Sequence, residues 1–435
     1  MPRARASIGA LAALLLLAAL PGWAEERASD ASIRQALWLL RRNPGDARAH
    51  YRLGDGYVAR ARETGDVADF DRAERALRRA VALAPDHAPA VRHLAYVLYS
   101  RHAFAEAAVE AARAIALDPS DGAAHGILGD AALEVGKYDE AAHAYRRMME
   151  LGQDLHAYAR RAGLSWIRGE VGAAIADLER AIAEGRQAGR PRESIAWTQW
   201  QLGSDHYAAG RLIESEAQFE AALQTLPGYH RAFAGLAQVR AAQGRYDAAV
   251  ELYTKALAVV PLPEYAAALG DVHARQGRAA DTRRQHDLVE YIGRLSALNQ
   301  ALYNRELALF LTDHDMKLDE ALALARKELE VRRDIYAWDV LAWALLKNGR
   351  PGEAKAAITE ALRLGTRDAR LFFHAGMIHA RLGDLPQARD YLARALATNP
   401  YFHLGQAEVA ARTLREIETG QHVAHRAGDD LRVAP

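Results

Sequence analysis

Residues 91–119 read VRHLAYVLYSRHAFAEAAVEAARAIALDP, and the chain repeats this pattern with variations. Residues 233–261 read FAGLAQVRAAQGRYDAAVELYTKALAVVP, and residues 372–400 read FFHAGMIHARLGDLPQARDYLARALATNP. Apolar residues fall three and four apart on either side of a short polar or glycine-containing break, the signature of two amphipathic helices joined by a turn. Proline closes each segment, because it cannot continue the helical hydrogen-bond ladder. Pro85 and Pro119 are 34 residues apart, as are Pro227 and Pro261, and Thr366 and Pro400 keep the same interval. A fixed period of this length predicts stacked helical hairpins, not a globular core.

Small residues recur where paired helices must approach closely. Gly54, Ala95, Gly129, Gly203, Ala237, Ala342 and Gly376 hold that place in first helices. Ala73, Ala107, Ala141, Ala249, Ala354 and Ala388 hold it in second helices. With the closing proline, this pattern resembles the tetratricopeptide repeat family. Ten units can be placed, beginning near Ala47, Ala88, Gly122, Leu155, Ala196, His230, Pro263, Leu302, Ile335 and Ala369.

The expected fold is therefore all-α, an α-solenoid superhelix of about ten such helix pairs with N- and C-terminal capping helices. The expected divisions are a capping helix within 25–46, repeats one to four over 47–187 and an irregular linker at 188–195. Repeats five to seven follow over 196–301 and eight to ten over 302–402. A second capping helix is expected at 403–418, and a polar, disordered tail at 419–435.

Residues 1–24 are of a different kind. Arg3 and Arg5 precede an apolar run from Ile8 to Leu20, then Pro21, Gly22 and Ala24. That order is the pattern of a cleavable secretory signal, with the cut expected after Ala24. It points to an exported protein, periplasmic or extracellular. The absence of cysteine excludes disulfides, thiol catalysis and cysteine-bound metal. Lys plus Arg and Asp plus Glu balance at 56 each, so no net field favours nucleic acid or an anionic membrane.

The resemblance implies that first helices line a concave surface through positions 2, 5, 9 and 12 of each unit, which share one helix face. That stripe carries Tyr51, Tyr96, Tyr99, Trp166, Trp197, Trp200, Tyr207, Tyr303, Phe310, Tyr336, Trp343 and Phe373. Some of these rings belong to repeat packing, but four of the six tryptophans after residue 24 lie on the stripe. Trp and Tyr give large contact area at low entropic cost. The stripe is thus expected to be a groove for a protein or peptide partner, with Trp197, Trp200 and Tyr207 its centre. Lys, Arg and Asn are not set at these positions in the first three units in the way that captures a C-terminal carboxylate.

Catalysis finds little support. Neither HExxH, GxSxG, a Walker loop nor a dinucleotide fingerprint occurs. His374 and His379 lie five apart and do not share a helix face well, and His422 and His425 lie in the tail. Thr312-Asp313-His314-Asp315 falls at a turn, where Asp is a usual residue. No cofactor or metal is expected. The alternative reading is a chaperone-like carrier for a metal or a small ligand.

Overall fold

A computed structural model describes residues 27–298 and 304–420, and all regular structure in them is helical. The chain divides into two compact units, Met1–Asp86 and His87–Pro435. The first holds α1 (Ala28–Arg42), α2 (Ala47–Thr64) and α3 (Ala68–Leu83). Helix α1 caps the α2–α3 hairpin, with Ile33, Ala36, Leu53 and Ala76 packed together. Asp69 is nearly sealed and receives two 2.7 Å hydrogen bonds from the Arg60 guanidinium. Burial alone would raise the Asp69 carboxyl, but Arg60 and Arg72 outweigh it and hold it below its usual range.

The second unit stacks nine hairpins and a last helix. They begin with α4 (Ala88–Ser100) and α5 (Phe104–Leu117), then α6 (Gly122–Glu134) and α7 (Tyr138–Leu151). Next come α8 (Leu155–Ile167) with α9 (Val171–Gln187), and α10 (Arg192–Ala208) with α11 (Leu212–Thr225). Helices α12 (His230–Ala242) and α13 (Tyr246–Val259) precede α14 (Pro263–Arg275) and α15 (Ala279–Leu298). After α16 (Asn304–Asp313) and α17 (Leu318–Val331) come α18 (Ile335–Lys347) and α19 (Pro351–Leu362). Helices α20 (Ala369–Arg381), α21 (Leu385–Thr398) and the capping helix α22 (Gln406–Thr419) end the unit.

Local chemistry explains where these helices start and touch. Asp121, Asp154, Asp334 and Asp368 each accept a backbone N–H as the N-cap of a first helix. The six second-helix alanines singled out by the repeat are all fully buried. Residues 192–195, expected in an irregular linker, instead form the first turn of α10. Ile195 there packs with Leu155 and Ala181, and this burial extends the helix by a turn.

The second unit also makes contacts that a simple stack would lack. The turn between α6 and α7 meets the connection between α17 and α18. Arg333 N–H donates to Glu134 O at 2.8 Å, and Ile335 N–H to the Tyr138 hydroxyl at 2.9 Å. One hairpin further on, the Thr366 hydroxyl donates to Ile167 O. One further again, the Tyr207 hydroxyl donates to Tyr401 O at 2.6 Å, and Asn399 Nδ2 to Tyr207 O at 2.8 Å. Three consecutive hairpin turns thus meet three consecutive connections about six hairpins later. The unit winds through more than one superhelical turn, and its later edge rests on its earlier one.

Candidate binding site

The winding decides which stripe residues can be reached. Trp343 is 2 % exposed and Phe373 1 %. The Trp343 ring stacks on His374, with centroids 4.3 Å apart, and its Nε1–H donates to Asp313 at 2.8 Å. Phe373 lies 5.5 Å from Trp343 and 5.5 Å from Phe402, centroid to centroid. Phe310 is sealed against His286 and His314, and the Tyr207 hydroxyl is tied into the seam. These four residues, expected to contact a partner, are packing residues instead. The face they line is covered by neighbouring hairpins and by the returning edge of the superhelix.

The others differ in setting. Tyr51, in the first unit, is half-buried, as are Tyr96, Tyr99, Trp166, Trp197, Trp200 and Tyr336 in the second. Tyr99 donates to Glu134 at 3.3 Å. Trp166 and Tyr336 both pack on the large apolar cluster whose members run from Ala132 on α6 to Ala410 on α22. Tyr303 lies outside the described residues, as do His422, His425 and residues 1–26.

A cavity of about 410 Å³ remains inside the second unit. Tyr207 and Tyr336 are the stripe aromatics on its wall, with Gln238, Arg305, Glu306, Asp339, Asp368 and Arg370 among the polar lining groups. The carboxyl of Asp368 is raised by loss of bulk water, which Arg370 partly offsets. Glu264, raised mainly by the same loss, faces Glu306, Arg231 and Arg305. The lumen therefore combines apolar walls with charged groups of both signs.

Arg231, Gln238, Glu264, Glu306, Asp339 and Arg370 also occupy positions 2, 5 or 9 of their units. They share the spacing of the stripe but are not aromatic, so its ring pattern does not reveal them. Arg231 lies 4.8 Å from the Trp200 ring, a cation–π contact, and Trp200 lies 6.3 Å from Trp197. Trp197, Trp200 and Tyr207 share one face of α10, so the tryptophan pair lies along the same wall as the cavity.

The histidines singled out in the sequence have separate partners. His374 Nδ1 pairs with Asp339 at 2.8 Å and His379 Nδ1 with Asp384 at 3.0 Å. No described helix is long and apolar enough to cross a membrane.

Family models described as tetratricopeptide repeat match residues 58–124, 127–190, 194–262 and 340–401, more than half of the chain. The chain belongs to the tetratricopeptide repeat family. Comparison with curated protein sequences gives no match. Among solved structures, human IFIT1 in a dimer with m7Gppp-AAAA is similar over 77 % of this chain and 76 % of its own. The identity is 14 % and the TM-score 0.50. The tetratricopeptide protein YrrB, whose structure is described as having an unusual peptide-binding site, shares 20 % identity. That match covers 46 % of this chain and 97 % of YrrB, with a TM-score of 0.31. PilF of Pseudomonas aeruginosa shares 15 % identity over 47 % of this chain and 91 % of its own, with a TM-score of 0.40. At these identities the likeness concerns the fold. A tetratricopeptide array is in general a protein-interaction scaffold.

Proposed function

We propose that this tetratricopeptide protein is an exported, non-catalytic adaptor that holds an extended segment of a protein partner along α10. Trp197 and Trp200 are the anchors. The observation that carries the reading is their state: the four deepest stripe aromatics are sealed, whereas this pair stays only partly buried, with Arg231 over the Trp200 ring. Aromatic rings flanked by an arginine are the residue types that dominate binding energy at interfaces. The cavity on the same wall supports a narrow occupant. Its volume, about 410 Å³, holds a few side chains and not a folded domain, and its mixed charges suit the polar backbone of a peptide. Export is supported by the signal-like order of residues 3–24.

The test is crosslinking in intact cells followed by mass spectrometry, with wild type beside the Trp197→Ala/Trp200→Ala double variant. Wild type is expected to start at Glu25 and to yield one dominant crosslinked protein, with that crosslink reduced at least tenfold in the variant. Circular dichroism should show unchanged helix content. Equal crosslinking from a folded double variant would remove this site.

A further inference from the structure

Asp271 on α14, His286 on α15 and His314 in the turn after α16 converge on one point. One ligand atom from each lies within 4.8 Å of the others. The bonds around them fix what each can offer. His314 Nδ1 sits 2.8 Å from Phe310 O and must donate its proton there, which directs Nε2 to Asp271 Oδ1, also at 2.8 Å. An imidazole held through one nitrogen by a backbone carbonyl is the arrangement that orients a metal-binding histidine. His286 rests edge-on to His314, with ring centroids 4.6 Å apart, and its Nε2 is buried without a hydrogen-bond partner. An unmatched buried nitrogen beside a carboxylate and a second imidazole makes a donor set suited to a cation.

His403 has a different part. Its Nδ1 accepts the backbone N–H of Gly405 at 3.1 Å and of Gln406 at 3.4 Å, so its own proton resides on Nε2. That nitrogen lies 3.7 Å from Asp271 Oδ2. His403 therefore supports the carboxylate and does not offer a lone pair to the centre.

We propose that Asp271, His286 and His314 form a binding site for a divalent transition metal ion, with Zn(II) as the best-matched member of the class. Two imidazoles and one carboxylate are borderline donors suited to this ion, and the thiolates that favour softer metals are absent. In the metal-free protein the Nε2 proton of His314 holds the place of the ion against Asp271. On binding, that proton leaves to solvent, the Nε2 lone pair becomes a ligand, and His314 Nδ1 keeps its bond to Phe310. Donors up to 4.8 Å apart close on an ion at about 2.1 Å with small side-chain rotations. Because His403 leads into α22 and faces Asp271, occupancy also ties residues 403–408 to α14. The proposal does not depend on the adaptor reading.

The experiment uses the full mature chain, stripped with EDTA and dialysed. It is titrated with zinc chloride in a calorimeter, and with cobalt(II) chloride in a spectrophotometer. The expected result is one ion per chain, with a cobalt d–d band and slower amide exchange at residues 403–408. His286→Ala and Asp271→Asn should each weaken zinc binding at least 100-fold while helix content is kept. His379→Ala, outside the cluster, should bind as wild type does. Two results would overturn the proposal: neither heat nor a cobalt band at millimolar metal, or unchanged affinity in both folded cluster variants.

Discussion

At the scale of single residues, Asp205 shows how the tight winding treats a charge. It lies inside α10, 4 % exposed, with Gln201 as a hydrogen-bond donor at 2.8 Å. Burial pushes its carboxyl up to about 7, against a smaller opposing effect of Gln201. The unfolded chain ionises this group near 3.9, so between about pH 4 and 7 the folded state binds more protons than the unfolded one. Stability therefore falls as pH rises through that window and stays lower above it. Asp205→Asn keeps an oxygen for Gln201 and removes the penalty. The variant should be more stable than wild type at pH 8, by on the order of 3 kcal/mol, with the gap closing towards pH 4. Urea unfolding at both pH values measures this, and a wild type more stable at pH 8 would refute it. Of the candidate site, the sequence discloses which residues share the inner helix face. It does not disclose which are covered. Trp197 and Trp343 occupy equivalent faces, yet Trp343 is covered by Asp313 and His374 from the hairpins on either side, and the contact that seals Tyr207 against Tyr401 depends on the accumulated rotation of several hairpins.

At the scale of the helix pair, legibility is higher, because the forces are local and periodic. Pro, Gly and Ala positions 34 residues apart encode where helices end and where they touch, and the ten hairpins follow from them. Phe219 illustrates the packing. The ring is 1 % exposed and lies between Gly203 of its own hairpin and Gly235 of the next. A Cβ on Gly203 would come within 2.7 Å of that ring, and one on Gly235 within 2.5 Å. Gly235→Ala should destabilise the second unit by about 1–3 kcal/mol through overpacking. Phe219→Leu in the Gly235→Ala background should recover part of the loss, because a smaller side chain relieves the collision. Thermal melting of the single and double variants checks this; a double variant weaker than the sum of its parts would count against it. The linker expected at 188–195 misled for a related reason. Extra residues between repeats can lengthen a helix as readily as a loop, and Ile195 finds apolar neighbours only in three dimensions.

At the scale of the whole second unit, the seam is the feature that a single repeat cannot announce. Gly136 and Gly169 both have φ of +76°, and a Cβ on either would meet the carbonyl oxygen of Arg333 at 2.6 Å or of Gly365 at 2.5 Å. Gly244 holds the same kind of turn, with φ of +73°, and a Cβ there would enter open space. The three are alike in sequence context and differ in what lies opposite. Gly244→Ala should therefore cost only the left-handed strain, about 1–2 kcal/mol. Gly169→Ala should cost more and should expose the amides around Thr366 to exchange. Hydrogen exchange on both variants separates the two effects, and equal profiles would show that the edges do not bear on one another. The seam also bears on how this chain reaches its native state. An open array can zip up from any point and fray hairpin by hairpin. Here partners such as Tyr207 and Tyr401, 194 residues apart, must wait until the intervening hairpins have formed. The last steps of folding are then the ones that lock the first, and the described part of the second unit, residues 87–298 and 304–420, should melt as one cooperative body.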